Sequence, residues 1–254
     1  MTAPAPDFGL DGHVVAVTGA SRGIGAACAL ACSRAGARRV VLLGRHREGL
    51  EEVAGRIAAA GGCAQVAPCD VTSTSSIDRA FAGLERVDVL VNSAGTNRPE
   101  PFDDVEPATF DHLFAVNVRG AFFAAQAAVA RMRATRSGRT IITISSQMGH
   151  VGAAHRTVYC AAKHAIEGLT KALAVELAPS GIRAISIAPT FVRTDMTATQ
   201  LDDPHLGPRL LAQIPLGRFG TVEDVAGAVV YAASPAAALM TGSSLVLDGG
   251  WTAR

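Results

Sequence analysis

Three residues near the middle of the chain have side chains that could move a proton onto or off a carbonyl oxygen. Tyr159 and Lys163 are four positions apart, and Ser146 lies thirteen positions before the tyrosine. If the tyrosine and the lysine share a helix, this spacing places both side chains on one face. A nearby ammonium group favours the phenolate and lowers the pKa of a phenol from its ordinary value of about 10. Because Tyr-x-x-x-Lys also occurs by chance, this interpretation depends on the rest of the chain.

A glycine-rich turn close to the start of the chain indicates a dinucleotide site. Residues 18–25 read Thr-Gly-Ala-Ser-Arg-Gly-Ile-Gly and separate an apolar run from a helical pattern. Glycines let the backbone turn tightly and approach a pyrophosphate, whose charge is stabilised by the N-terminus of the following helix. The alternative is a loop whose glycines serve only turn geometry. The order of strand, turn and helix favours the nucleotide site.

The elements that would position these residues alternate along the whole chain. The predicted strands are 14–17, 39–43, 65–67, 87–91, 140–145, 183–188 and 245–247, and the predicted helices are 24–34, 47–60, 75–84, 107–134, 157–178 and 222–233. Several strands are continuously apolar, which is typical of a sheet covered by helices on both faces. The pattern predicts an α/β fold, with one Rossmann-type domain over residues 1–254 and a doubly wound parallel sheet of about seven strands. The irregular stretch 190–215 is interpreted as a lid over the substrate.

Composition argues against several other classes of protein. The chain has 254 residues, 49% of them hydrophobic, and a formal net charge of +1 with basic and acidic residues interspersed. It therefore lacks a basic face for nucleic acid, and no uninterrupted apolar run is long enough to cross a bilayer. Residues 1–9 lack the basic and apolar regions of a signal peptide. Cys28 and Cys32, at helical spacing in an alanine-rich segment, are predicted to be buried thiols. Because the five cysteines lack metal-ligand spacing and no histidine pair supports a metal site, we expect no catalytic metal and a soluble protein of the reducing cytoplasm.

The glycine spacing and the Tyr-x-x-x-Lys pair together resemble the short-chain dehydrogenase/reductase family. Further landmarks follow in order almost to the C-terminus: Asp70-Val71, Asn92-Ser93-Ala94-Gly95, Asn117, Ser146, Pro189 with Thr194, and Asp248-Gly249-Gly250. The resemblance implies hydride transfer between a nicotinamide cofactor and a carbonyl or alcohol carbon. The chain departs from the family pattern at Ser93, where a second asparagine is more usual, and at Thr190, where many members have glycine.

The resemblance also implies a role for each site residue. Ser146 would polarise the substrate oxygen, and Tyr159 would give or take its proton. Lys163 would lower the pKa of the tyrosine and hold the nicotinamide ribose, and Asn117 would anchor a water that links Lys163 to solvent. The implied cofactor-binding residues are Gly19, Ser21, Arg22, Gly23, Ile24, Gly25, Arg45, Asp70, Val71, Asn92, Ala94, Gly95, Tyr159, Lys163, Pro189, Val192 and Thr194.

The charges after the second strand favour NADP(H) over NAD(H). Sites for NAD have an acidic residue about twenty positions after the glycines, but this chain has Gly44 there, followed by Arg45, His46 and Arg47. Arginine pairs with a 2′-phosphate, whereas a carboxylate repels it. Arg22 is a second candidate for this contact. The alternative is that Arg45 and Arg47 only begin a solvated helix, and NAD(H) is then also used.

Substrate and assembly are less well specified. The candidate substrate contacts are Gln147, His150, Arg98 and Arg156, and ordinary surface polarity is the alternative for each. We expect NADPH-dependent reduction of a ketone, similar to that of 3-oxoacyl carrier-protein reductases. The alternatives are NAD(P)-dependent oxidation of a sugar, polyol or other secondary alcohol, and a non-catalytic nucleotide-sensing protein. Long alanine-rich helices and the family resemblance favour a homotetramer, or a dimer.

Overall fold

Seven parallel strands form one sheet in the computed structural model, which describes residues 6–135 and 139–253. The strands are β1 (Val14–Thr18), β2 (Arg39–Gly44), β3 (Ala64–Pro68), β4 (Val89–Asn92), β5 (Thr140–Ile144), β6 (Arg183–Pro189) and β7 (Ser244–Leu247). Their spatial order is β3-β2-β1-β4-β5-β6-β7, and every neighbouring pair is parallel. The predicted α/β Rossmann-type fold is confirmed. Residues 1–5, 136–138 and 254 of the predicted 1–254 domain lie outside the described part.

Helices cover both faces of this sheet. They are α1 (Gly23–Arg34), α2 (Arg47–Ala59), α3 (Thr74–Ala82), α4 (Pro107–Phe114), α5 (Gly120–Thr135), α6 (Thr157–Leu177), α7 (Ala198–Leu201), α8 (Leu206–Leu211) and α9 (Val222–Ala233). Helices α1 and α9 pack together on one face, and α3 and α5 pack together on the other.

The strands are continuously apolar because each contributes to two cores. In β1, Val15 and Val17 face the core that contains α1 and α9, while Val14 and Ala16 face the core that contains α3 and α5. All five residues of β1 are buried. Successive side chains of a strand point to opposite faces, so a sheet covered on both sides leaves no polar alternation in the sequence.

The order of the strands creates a crevice beside β1. Strand β1 lies between β2 and β4, with Thr18 in register with both Leu43 and Asn92. The chain leaves β1 and β4 in opposite directions along the sheet, and the loops that follow their carboxyl ends separate there. Ligands of open α/β sheets bind at such a point.

The predicted helix 107–134 is interrupted. Helix α4 ends at Phe114, a π-helical turn covers Ala115–Arg119, and α5 follows directly. The side chain of Asn117, in the middle of this turn, donates to the carbonyl oxygens of Leu113 and Thr96, both at 2.9 Å. Single π turns inside α-helices are frequently found at functional sites. Hydrophobic spacing does not reveal such a turn, because the apolar pattern continues through it.

The helical stretch Pro107–Thr135 is long and apolar enough to cross a membrane by length and composition alone. Half of its most apolar window is buried inside the molecule, where Ala124, Ala128 and Met132 belong to the core beneath α3. The stretch therefore packs as a core helix of the domain.

The stretch 190–215, predicted as irregular, contains α7 and α8. Side chains build the turn before α7, where Thr197 Oγ1 donates to Val192 O at 2.6 Å, and the turn between α7 and α8, where Asp203 Oδ1 accepts from the backbone N–H groups of His205 and Leu206. The prediction missed both helices because each has only four to six residues, too few for a helical period to show.

Candidate active site

A cavity of about 300 Å³ opens at the carboxyl ends of the strands, beside the crevice at β1. Loops after six of the strands contribute to its wall. All four catalytic candidates line it, namely Asn117, Ser146, Tyr159 and Lys163. So do the cofactor candidates Gly19, Ser21, Arg22, Gly23, Ile24, Gly25, Arg45, Asp70, Val71, Ala94, Gly95, Pro189, Val192 and Thr194.

Asn92 is the one cofactor candidate that does not line the cavity. Its side chain is 4% exposed, and its amide nitrogen donates to Ala121 O at 3.1 Å. The structure therefore places Asn92 under the cavity floor, where it fixes the start of α5 to the end of β4.

The glycine-rich turn leaves its backbone open to the cavity. A Cβ atom on Gly25 would lie 2.2 Å from the carbonyl oxygen of Gly19, and Gly19 itself has φ +68°. Arg22, at the N-cap of α1, makes no side-chain capping bond. The first N–H groups of α1 and the missing side chains together fit a phosphate group.

Basic side chains lie where the turn meets the end of β2. Arg22, Arg45 and His46 all line the cavity. Asp70 lies near Arg45: burial acts to raise the pKa of its carboxyl, but hydrogen bonds from Thr72 and the charge of Arg45 lower it overall. This end of the cavity therefore holds a net excess of positive charge in its wall.

The catalytic candidates meet where α6 passes the end of β5. Lys163 Nζ donates to Ile144 O at 2.9 Å and lies 5.5 Å from the centre of the Tyr159 ring. Ser146, two residues beyond β5, is hydrogen-bonded to Tyr159 and also accepts from Met148 N at 3.1 Å. The serine is thus fixed by the 3₁₀ turn Gln147–Gly149, which it caps.

The pKa of Tyr159 differs from the expectation. Burial raises it to about 12, while the hydrogen bond with Ser146 and the charge of Arg156 act to lower it. Lys163 Nζ lies 5.5 Å from the centre of the ring and donates to Ile144 O, so its positive charge is near the phenol, but the effect of burial on the pKa of Tyr159 prevails. Burial also lowers the pKa of Lys163 itself to about 8, opposed by the charge of Glu167.

Asn117 is held by the backbone beside it. Its amide nitrogen donates to Thr96 O, and its oxygen accepts from Thr96 N at 3.2 Å. A Cβ atom on Gly95 would lie 3.1 Å from the Asn117 oxygen and 3.9 Å from Lys163 Nζ. The π-helical turn thus brings Asn117 next to the loop after β4 and to the lysine.

The four substrate candidates are in different places. Gln147 lines the cavity. Arg156 donates to Gln200 Oε1 at 2.9 Å and so reaches the cavity wall through a residue of α7. Arg98 pairs with Glu100 at 3.1 Å, and His150 Nε2 lies 3.1 Å from Ser244 Oγ and 3.5 Å from Glu167 Oε1. Neither Arg98 nor His150 lines the cavity.

The stretch 190–215, interpreted from the sequence as a lid, contributes Gln200 and Met196 to the wall, although sequence reasoning did not single out either residue. No motif marks them, because only the folding of this stretch over the cavity brings them to the site. Within the described ranges, no group of three His, Cys, Asp or Glu residues could hold a metal ion.

Comparison with known proteins agrees with this geometry. A family model described as Enoyl-(Acyl carrier protein) reductase matches residues 19–252. The D-threitol dehydrogenase of Mycolicibacterium smegmatis is 38% identical over 252 residues, which is 98% of this chain and 96% of the relative. The L-xylulose reductase of Mus musculus is 36% identical over 97% of this chain and 99% of its own length.

The chain also matches a solved structure over almost its whole length. A putative NAD(P)-dependent gluconate 5-dehydrogenase from Beutenbergia cavernae, with bound NADP, superposes with a TM-score of 0.93 at 38% identity. The alignment covers 98% of this chain and all of the other.

Burial of the Lys163 ammonium should lower the free energy of unfolding. Its pKa of about 8 is below the ordinary lysine value of 10.5, so between these values the unfolded chain binds more protons and stability rises with pH. Below both pKa values Lys163 is charged in the folded and in the unfolded chain, so the free-energy cost of burying the charge is fully present. We expect Lys163→Met to be more stable than the wild type near neutral pH, by about 1–3 kcal/mol after loss of the bond to Ile144 O.

Denaturant unfolding at several pH values checks this. The gain should fade as pH rises from about 8 toward the ordinary lysine range. Lys171→Met, at an exposed position of the same helix, should show no comparable gain. A Lys163→Met variant that is less stable than the wild type at neutral pH would contradict the prediction.

Proposed function

Because the chain belongs to the short-chain dehydrogenase/reductase family and is an NAD(P)-dependent oxidoreductase acting on CH–OH groups, we propose that its substrate is a polyol or a sugar. From the sequence alone, such a substrate was the alternative to a ketone of the 3-oxoacyl type. The relatives support it better than the reduction of a 3-oxoacyl group, since the names of two of them specify threitol and xylulose.

One observation in the cavity carries the proposal. Gln147 is 1% exposed, follows Ser146 directly and lines the cavity, yet its carbonyl oxygen Oε1 has no hydrogen-bond partner among the described residues. A buried amide oxygen without a donor is costly. A polyhydroxylated substrate has several O–H donors next to the reacting carbon, whereas an acyl chain has none there.

Two further oxygens of the wall support the same chemistry. Asn97 Oδ1 and Thr190 Oγ1 are also buried without a partner in the described part of the chain, and both residues line the cavity. Thr190 is a departure from the family pattern described in the sequence analysis, and its hydroxyl adds a polar group to the wall. Sites that leave polar groups unpaired discriminate against ligands that lack the matching group.

The catalytic residues would act on the substrate oxygen. When bound, the nicotinamide cofactor accepts or supplies the hydride. Ser146 would donate to the substrate oxygen, and Tyr159 would remove the hydroxyl proton in oxidation or return it in reduction. Burial favours the neutral phenol of Tyr159, which is the form needed for reduction. The ammonium of Lys163 is the charge available to stabilise the phenolate in oxidation, and Asn117 would anchor the water that connects this lysine to solvent.

We propose NADP(H) as the preferred cofactor, with NAD(H) as the alternative. Arg22 and Arg45 line the cavity, and the loop after β2 has no carboxylate to repel a 2′-phosphate. In this proposal the pyrophosphate binds the glycine-rich turn, Asp70 and Val71 bind the adenine, and the loops at Gly95 and Thr194 bind the ribose and the nicotinamide.

The stretch 190–215 is proposed as the lid, and the chain as a homotetramer or dimer of the cytoplasm. Arg156 supports the first part, since its bond to Gln200 joins α7 to the catalytic helix. Phe110 on α4, Phe122 on α5 and Val246 on β7 are 44%, 43% and 41% exposed, and these apolar surfaces are available for contacts between subunits. The five free cysteines fit a reducing compartment.

Tyr159→Phe tests the catalytic assignment. Removing the hydroxyl leaves no proton donor at the substrate oxygen, so turnover should fall by about 10²-fold or more. Binding of NADPH, measured by fluorescence titration, should persist. Tyr231→Phe changes the other tyrosine of the chain, on α9, and should behave as the wild type. Activity retained in Tyr159→Phe would refute the assignment.

Gln147→Leu tests the substrate class. Loss of the amide acceptor removes a hydrogen bond to a substrate hydroxyl, and we expect kcat/KM for polyols or sugars to fall about tenfold or more. The KM for the cofactor should be unchanged. Gln65→Leu, on β3 outside the cavity wall, provides the matched control. An unchanged kcat/KM in Gln147→Leu would exclude this glutamine from substrate recognition.

A further inference from the structure

A buried carboxylate lies one helical turn beyond Lys163. Glu167, on α6, is 7% exposed. Its Oε2 accepts from Ser186 Oγ of β6 at 2.7 Å, and its Oε1 lies 3.5 Å from both Ser244 Oγ of β7 and His150 Nε2. Burying an ionised carboxylate is costly unless hydrogen bonds and a counter-charge compensate it. The proposed proton transfer does not use this group.

Glu167 lies against the turn that carries Ser146. A Cβ atom on Gly149 would be 3.1 Å from Glu167 Cγ, 3.0 Å from Lys163 O and 3.0 Å from Ser145 Oγ. The 3₁₀ turn Gln147–Gly149 therefore packs directly on α6 at this glutamate. His150, the next residue, closes the turn onto the carboxylate and onto Ser244. The side chain of Glu167, which belongs to the helix of Tyr159 and Lys163, thus contacts the turn that carries Ser146 and the last two strands.

We propose that Glu167 is a positioning residue for the reaction: its carboxylate holds the Ser146 turn against the helix that carries Tyr159 and Lys163, and its negative charge keeps the buried Lys163 ammonium charged. The proposal rests on the proposed function, since it concerns the same proton transfer. It gives His150 a structural place in the network, in contrast to the substrate contact considered from the sequence.

The proposed effect of the Glu167 charge on Lys163 follows from the groups that surround this lysine. This lysine is 5% exposed, and burial lowers its pKa to about 8 while the charge of Glu167 opposes that decrease. The other titratable groups of the neighbouring elements are Tyr159, Cys160, His164, Lys171 and Glu176 on α6, Arg156 at its N-cap, His150 after the 3₁₀ turn, Asp111 and His112 on α4, Arg119 in the π-helical turn and Arg183 on β6. Strand β7 has none. Arg183 is engaged elsewhere, with Thr140, Met240 and Ala232.

The charge of Glu167 should affect the pH dependence of kcat in a definite direction. With pKa values of about 8 and about 12, Lys163 loses its proton before Tyr159 as pH rises. We therefore expect the alkaline limb of kcat in the reducing direction to report loss of the ammonium. Without the charge of Glu167 the ammonium is less favourable, and the limb should move to lower pH by about one unit.

The test compares Glu167→Gln with Glu167→Asp, Ser186→Ala and the control Glu176→Gln, which removes a charge from an exposed position of the same helix. The pH profile of kcat with NADPH and a ketose should shift only in Glu167→Gln. Glu167→Asp and Ser186→Ala keep the charge but loosen the contact, so kcat should fall about threefold to tenfold with the limb at its wild-type pH. An unshifted limb in Glu167→Gln, with only reduced thermal stability, would overturn the proposal.

A second measurement needs no substrate and separates this inference from the proposed function. Denaturant unfolding between about pH 6 and pH 10 locates the rise in stability that comes from Lys163, and in Glu167→Gln this rise should begin about one pH unit lower. An inactive wild type would refute the proposed function, and the unfolding data would still decide the inference. If Glu167→Gln does not fold, Glu167→Asp decides: wild-type kcat in that variant would overturn the positioning role.

Discussion

The hydrogen bond from the Lys163 ammonium to the carbonyl oxygen of Ile144 is the contact on which the site depends. At 2.9 Å it joins α6, the helix of Tyr159 and Lys163, to the end of β5, inside a region where the lysine is almost wholly buried. Ser146 follows Ile144 by two residues and bonds to Tyr159, so the distance between serine and tyrosine is set across this junction. The burial that fixes the geometry also opposes the charge, and a stable fold and a charged lysine are therefore in conflict here.

The wall of the cavity divides into two parts with different physical origins. The side proposed for the cofactor consists of backbone and of residues at the ends of strands: the turn at Gly19 and Gly25, and the basic residues after β2. The side proposed for the substrate includes side chains whose oxygens have no hydrogen-bond partner in the described part of the chain, among them those of Gln147, Asn97 and Thr190. The first part can be common to many enzymes of one fold. The second is where selectivity for a particular alcohol must lie.

Much of the fold could be predicted from the sequence, because a sheet buried on both faces leaves continuous apolar runs such as β1 and β5. The glycine-rich turn was also predictable, since two of its glycines stand where a Cβ atom would meet the backbone. The π-helical turn at Asn117 could not be predicted, because it leaves the apolar pattern unchanged. His150 and Glu167 meet only through the packing of a 3₁₀ turn on α6, and no local signal encodes that contact. The raised pKa of Tyr159 depends on burial, which spacing alone does not give.

The central claim is that this cavity selects a polyhydroxylated alcohol or its carbonyl counterpart. Initial rates over one panel of polyols, ketoses, sugar acids and 3-oxoacyl thioesters, each with the phosphorylated and the unphosphorylated cofactor, test it most directly. We expect the highest kcat/KM with a polyol or sugar and with NADP(H). The highest kcat/KM with a 3-oxoacyl thioester, and none with any polyol or sugar, would contradict the account.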